Sequence, residues 1–187
     1  MPPDLVVRTA RLHLCPFTVE DTAKVFAMSR EAGMGRWIPN QVYANEQVAR
    51  EVLDFLIGHY RDATPPTRGP CVLGIRLAAT DELIGHVGLN PLPEGVEIGY
   101  AIEEARQGNG FATEAVRAMS EWGVVRFSLP RIVGLVAPEN TRSCRVLEKA
   151  GYRPETEGPR MMHGRIRPAR RYLFPAAQPA LVISGTP

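Results

Sequence analysis

Cysteine is scarce in this chain: Cys15, Cys71 and Cys144 are spread through 187 residues. They form no C-x-x-C pair, so neither a zinc site nor a compact disulfide framework is spelled out. His13, His59, His86 and His163 likewise lack metal-ligand spacing, and no metal is expected. No apolar run approaches the ~20 residues needed to cross a bilayer. Met1 to Leu14 carries scattered charges and no apolar h-region, so a secretory leader is not expected. An excess of one charge is also missing, because 22 Lys and Arg face 20 Asp and Glu, a formal net charge of +2. That balance gives no strong nucleic-acid signal. What remains is a cytoplasmic chain of a size to fold as one domain around one core.

The apolar pattern supplies that core. Val6 to Cys15 alternates as a first strand, and Ala23, Val25 and Phe26 suggest a short helix between Glu20 and Arg30. Asn45 is an N-cap for a second helix, where Val48, Val52, Phe55 and Leu56 recur at three- and four-residue intervals. The proline-rich stretch Asp62–Pro70 reads as a loop. Strands follow at Cys71–Leu77 and Leu83–Leu89, then a turn over Asn90–Gly95 and a returning strand, Val96–Ile102. Ala115, Val116, Met119 and Trp122 mark the next helix, Ile132–Ala137 a strand, and Asn140 caps a last helix ended by Gly151. Two late strands fall around Arg160 and at Arg171–Phe174. Residues 1–174 read as the domain and 175–187 as a loose tail.

Two features stand out from this scaffold. In the strand after the turn, Val96, Ile98, Tyr100 and Ile102 share one face, while Glu97, Gly99 and Ala101 share the other. A carboxylate beside two small residues lines a cleft better than it builds a core. Downstream, Gln107-Gly108-Asn109-Gly110-Phe111-Ala112 joins a strand to a helix. Unpaired amides at a helix start, with glycines that let an anion approach, suit a pyrophosphate. A P-loop would need Gly-Lys-Ser/Thr here, and a dinucleotide fingerprint a third glycine at Thr113; neither is present.

That turn resembles the Q/R-x-x-G-x-G/A signature of the GNAT N-acetyltransferases. The segment from Asn140 through Ser143, Lys149 and Gly151 to Tyr152 resembles their second block, N-x-x-S-x-x-V-L-E-K-x-G-F/Y. Glu97-Ile98-Gly99-Tyr100 resembles the E-x-G-Y of the RimJ/RimL-like branch, named for ribosomal-protein N-terminal acetyltransferases. The blocks agree in order and spacing from about Arg8 to Phe174. The resemblance implies an α/β (α+β) three-layer sandwich, a mixed, mostly antiparallel sheet with helices on both faces. It also implies acetyl-CoA as co-substrate, lodged where two central strands splay apart. Tyr100, Ala101 and Ile102 would hold the pantetheine arm, and Gln107 to Ala112 the pyrophosphate. Asn140 and Ser143 would lie near the thioester.

Acetyl transfer to an amine needs a base for the ammonium, stabilisation of an oxyanion and, optionally, an acid for the thiolate. Glu97 is the candidate base, working through water; the alternative is a carboxylate held in a salt bridge. Many relatives carry an acid tyrosine seven residues after the asparagine, where this chain has Leu147. Ser143 then either protonates or orients the thiolate, or serves only as a helix-start residue. Tyr100 and Tyr172 are either substitutes for that acid or core and rim residues. The resemblance also implies that the acceptor enters opposite the cofactor, between the first two helices and the last hairpin. That hairpin carries Arg160, Arg165, Arg167, Arg170 and Arg171. Trp37-Ile38-Pro39 forms either a wall there or a turn on the core. An α-amine acceptor is expected, with a small-molecule amine or a silent acyl-CoA-binding module as alternatives; Glu97 and Ser143 weigh against the last. Partners are acetyl-CoA and the amine, no membrane, with a homodimer left open.

Overall fold

The computed structural model describes residues 5–162 and 164–175. Its sheet has eight strands: β1 Val7–Arg8, β2 Leu12–Cys15, β3 Cys71–Leu77, β4 Leu83–Leu92, β5 Gly95–Ile102, β6 Arg131–Val136, β7 Arg153–Met162 and β8 Arg165–Pro175. Their spatial order is β1-β2-β3-β4-β5-β6-β8-β7. Only β5 and β6 pair in parallel; the other neighbours are antiparallel. The helices are α1 Thr22–Ser29, α2 Ala32–Trp37, α3 Glu46–Arg61, α4 Phe111–Phe127 and α5 Thr141–Ala150. This is the mixed sheet with helices on both faces that the motif order implies.

Helices α4 and α5 cover one face. Gly123 of α4 lies so close to β4 that an added Cβ would stand 2.4 Å from Leu89. Gly134 of β6 gives Leu147 of α5 similar room, with 2.6 Å to an added Cβ. The opposite face receives α3: the Tyr60 hydroxyl donates to the Val72 carbonyl of β3. Leu53, Leu56 and Tyr60 are buried there. Both expected caps form, since the Asn45 side chain accepts from the Val48 amide at 3.0 Å and Asn140 from Ser143 at 3.2 Å.

Several boundaries differ from the sequence expectation. The first strand is two short ones, β1 and β2, folded on each other. The first helix begins at Thr22, after a 3₁₀ turn over Val19–Asp21. The expected turn at Asn90–Gly95 tightens to Pro93–Glu94, because Asn90 pairs with Glu97, Pro91 with Val96 and Leu92 with Gly95. Pro175 is not tail: it closes β8 opposite Arg131. Residues 176–187 and His163 lie outside the described residues. Trp37 and Ile38 are half-buried at the end of α2, and Pro39 opens a 3₁₀ turn.

Candidate active site

The parallel strands β5 and β6 meet at one rung, Glu97 opposite Val133. Among the described residues no further ladder joins Gly99–Ile102 to β6, so the strands part into a V that opens past Glu97. Main-chain direction follows by alternation. The Glu103 amide donates to Ile84 of β4, so the carbonyl and amide of Ala101 also point to β4. Those of Tyr100 and Ile102 point into the V, where the Ile102 carbonyl accepts from the Gln107 side chain at 3.0 Å. Of the three residues expected along the pantetheine arm, two therefore offer main chain to the gap.

The side chains of β5 divide between the faces as the alternation requires. Val96, Ile98 and Ile102 are buried under α4 and α5. Glu97 shares the opposite face with Gly99 and Ala101, and across β4 with Asn90, Gly88 and His86. Glu97 is half-buried, and burial pushes its carboxyl up to about 7. Among the described residues no ion pair reaches it, and burial alone raises its carboxyl. Burial lowers the His86 imidazole to about 4, so at neutral pH it is an uncharged wall of the cleft.

On the α5 side, the Tyr100 hydroxyl lies 2.7 Å from Ser143 Oγ and donates to the Ser143 carbonyl at 3.1 Å. Burial raises the Tyr100 phenol, with the Ser143 hydrogen bond opposing. Leu147, seven residues after Asn140, is fully buried against Gly134. Tyr172 is no substitute, because its hydroxyl donates to Glu148 at 3.2 Å and the residue is buried. Tyr100 thus brings a phenol to Ser143 from across the V. The Asn140 side-chain oxygen is committed to capping α5.

The glycine turn lies at the open end of the V. Gly108 and Gly110 hold φ of +82° and +80°, in the left-handed region that glycine enters at no steric cost. An added Cβ would meet nothing at Gly108, and at Gly110 only the Arg11 guanidinium at 3.5 Å. The space above both is open, as an incoming pyrophosphate requires. Asn109 folds back, donating to the Arg106 and Gln107 carbonyls at 3.1 and 3.2 Å. Gly110 is the N-cap of α4 and provides no side-chain cap, which leaves the Phe111 and Ala112 amides to another acceptor.

Two contributors were missed in the sequence. Arg11 donates to the Asn109 carbonyl at 3.0 Å and pairs with Glu114 at 2.7 Å, fixing the turn to β2. Arg142 reaches Gln107 Oε1 at 3.4 Å from the start of α5. Arg142 sits inside the N-x-x-S block and was legible as a cation near a phosphate site; nothing local marks Arg11.

The comparisons with known proteins agree with this fold. The uncharacterized N-acetyltransferase YnaD of Bacillus subtilis is 28% identical over 151 residues, 80% of this chain and 83% of YnaD. A GNAT-family acetyltransferase from Bacillus anthracis shares the fold with TM-score 0.78 at 23% identity, over 92% of this chain and 99% of its own. The RimL ribosomal L7/L12 α-N-protein acetyltransferase in complex with coenzyme A also shares it, with TM-score 0.73 at 15% identity over 91% and 97%. The acetyltransferase (GNAT) domain model matches residues 11–153. That match covers most of the chain, including the parted strands and the glycine turn, so the protein belongs to the GNAT acetyltransferases, which use acetyl-CoA as co-substrate.

Proposed function

We propose that this enzyme acetylates an α-amine, of a peptide or protein N-terminus or an amino-acid-like molecule, in the manner of the RimJ/RimL-like branch. The observation that carries the reading is Glu97, a carboxylate without a cationic partner among the described residues, at the last rung before the V, with its carboxyl near 7. An α-amine has pKa ~7.7–8.0 and a lysine amine ~10.4, so freeing the lysine amine at neutral pH costs ~3–4 kcal/mol more. A carboxyl near 7 matches the first and falls far short of the second.

Bound acetyl-CoA supplies the thioester carbonyl. Tyr100 and Ile102 main chain lines the arm, Gln107, Gly108, Asn109, Gly110, Phe111 and Ala112 wrap the pyrophosphate, and Asn140 and Ser143 lie near the thioester. Glu97 takes a proton from the ammonium through water, the nitrogen bonds the carbonyl carbon, and the carbon–sulfur bond breaks. The departing sulfur receives a proton from Ser143, Tyr100 passes its own to Ser143, and the second proton shed by the acylated nitrogen returns through solvent to the Tyr100 phenolate. Ser143→Ala is expected to lower kcat about tenfold, on the order of one hydrogen bond. Tyr100→Phe is expected to give a similar loss, and the double variant little more than either alone, because the two act as one unit. Fully multiplicative losses in a stopped-flow thiol assay would separate them.

The acceptor reading is tested by competition at pH 7 between a peptide with a free N-terminus and spermidine or kanamycin. The peptide should have the higher kcat/KM. A higher value for the polyamine or aminoglycoside would replace the reading with small-molecule acetylation.

A further inference from the structure

The arginines of the last hairpin divide between its faces. Residues of β7 and β8 pair as Thr156 with Arg171, Gly158 with Ala169, Arg160 with Arg167 and Met162 with Arg165. Arg171 also pairs with Leu135, two residues past Val133 on β6, so it shares the sheet face of Glu97. By alternation Arg160, Arg165 and Arg167 share that face, and Arg170 does not. Arg170 is paired with Glu157 at 2.7 Å on the α5 side. Arg171 is buried and paired with Glu155, with Glu94 at 3.7 Å.

The other three have no carboxylate partner among the described residues. Arg160 and Arg167 stand directly opposite each other across the two strands, an arrangement of like charges that destabilises a hairpin. The Arg160 Nε is also buried and has no hydrogen-bond partner among the described residues. An anion lying between these guanidinium groups would relieve the repulsion between them.

Distance decides what kind of anion. The hairpin extends from the same end at which the V opens, since β8 runs antiparallel to β6. From the Glu97–Val133–Leu173 rung, Arg167 lies six residues along β8, about 20 Å at strand rise, and Arg165 eight, about 27 Å. A single amino acid cannot span from Glu97 to these groups. An extended peptide covers the gap in roughly five to eight residues.

Resting on the α-amine reading, we propose that the acceptor is the N-terminus of an acidic polypeptide. Its Asp or Glu side chains, roughly five to eight residues behind the amine, dock on Arg160, Arg165 and Arg167.

The test uses the full chain, acetyl-CoA and peptides of about ten residues sharing their first three, with Asp/Glu, Ser/Gln or Lys at positions five to eight. At low salt the acidic peptide should exceed the neutral one in kcat/KM by about tenfold, the worth of a charge-assisted hydrogen bond, and the lysine peptide by more. The gap should narrow as salt rises. In Arg165→Glu/Arg167→Glu, both positions being exposed, the acidic preference should vanish through KM, while the melting shift with acetyl-CoA is kept. Equal rates for all peptides would overturn the docking and leave the α-amine reading standing. So would an acidic preference that survives in the double variant. Flat peptide rates, with a single-stranded RNA bound by the wild type and lost in the variant, would overturn it in favour of nucleic acid. Turnover of small amines with no peptide turned over would overturn both readings together.

Discussion

Glu97→Gln is expected to slow turnover by ~10²–10⁴, the usual worth of a positioned base, while leaving acetyl-CoA binding unchanged. The same variant should be more stable than the wild type above neutral pH. The carboxyl is raised to about 7 in the fold and returns to ~4.3 when the chain unfolds, so the folded state holds the extra proton between those values. Stability therefore falls as pH rises through that window, and the full cost, on the order of 4 kcal/mol, is present above it and absent below. Glutamine carries no such cost. Denaturant unfolding at pH 4 and pH 8 should find the two proteins alike at pH 4 and the variant ahead at pH 8. A variant less stable at pH 8 would return Glu97 to a structural role. The rate should lose its rising limb near pH 7 as well, and the deficit should shrink at high pH as the amine sheds its own proton.

Gly110→Trp is expected to abolish acetyl-CoA binding. At ligand one hundred times Kd the wild type should gain ~2.7 kcal/mol, a rise of about 5–10 °C in Tm, and the variant none. Two effects need separating. A residue with Cβ at φ +80° costs ~1–2 kcal/mol whatever its size, and lowers Tm without ligand. The indole adds bulk above the turn, where the neighbouring contact is the mobile end of Arg11 at 3.5 Å, so the free protein has room for it. Gly110→Ala carries the strain without the bulk and should keep a measurable shift with acetyl-CoA. Equal shifts for wild type and Gly110→Trp would remove the glycine turn from the cofactor site.

Charge and burial act on Glu97 and the hairpin arginines in opposite ways. Glu97 is withdrawn from cations and from part of its water, which brings its carboxyl into the range of an α-amine. The exposed Arg165 and Arg167 keep their hydration and steer from a distance, an effect that salt weakens. Mutating the first should change kcat, and mutating the second KM.

The sequence by itself determined whatever is written in short-range hydrogen bonds and in period. Asn45 and Asn140 cap α3 and α5, and Gly151 ends α5 at φ +102°. Gly108 and Gly110 mark the turn because no other residue enters that backbone region at so little cost. Alternation also put Glu97 on the face away from the core. Tertiary structure decided the rest, because it depends on groups far apart in the chain. The carboxyl near 7 follows from what surrounds β5, which no local spacing reports. The V exists because β5 and β6 pair at one rung after a crossover through α4. Tyr100 meets Ser143 across 43 residues, while Tyr172, equally plausible in the sequence, is turned toward Glu148. Strand pairing alone separated Arg170 from its four neighbours, since a register shifted by one residue would have exchanged the two faces.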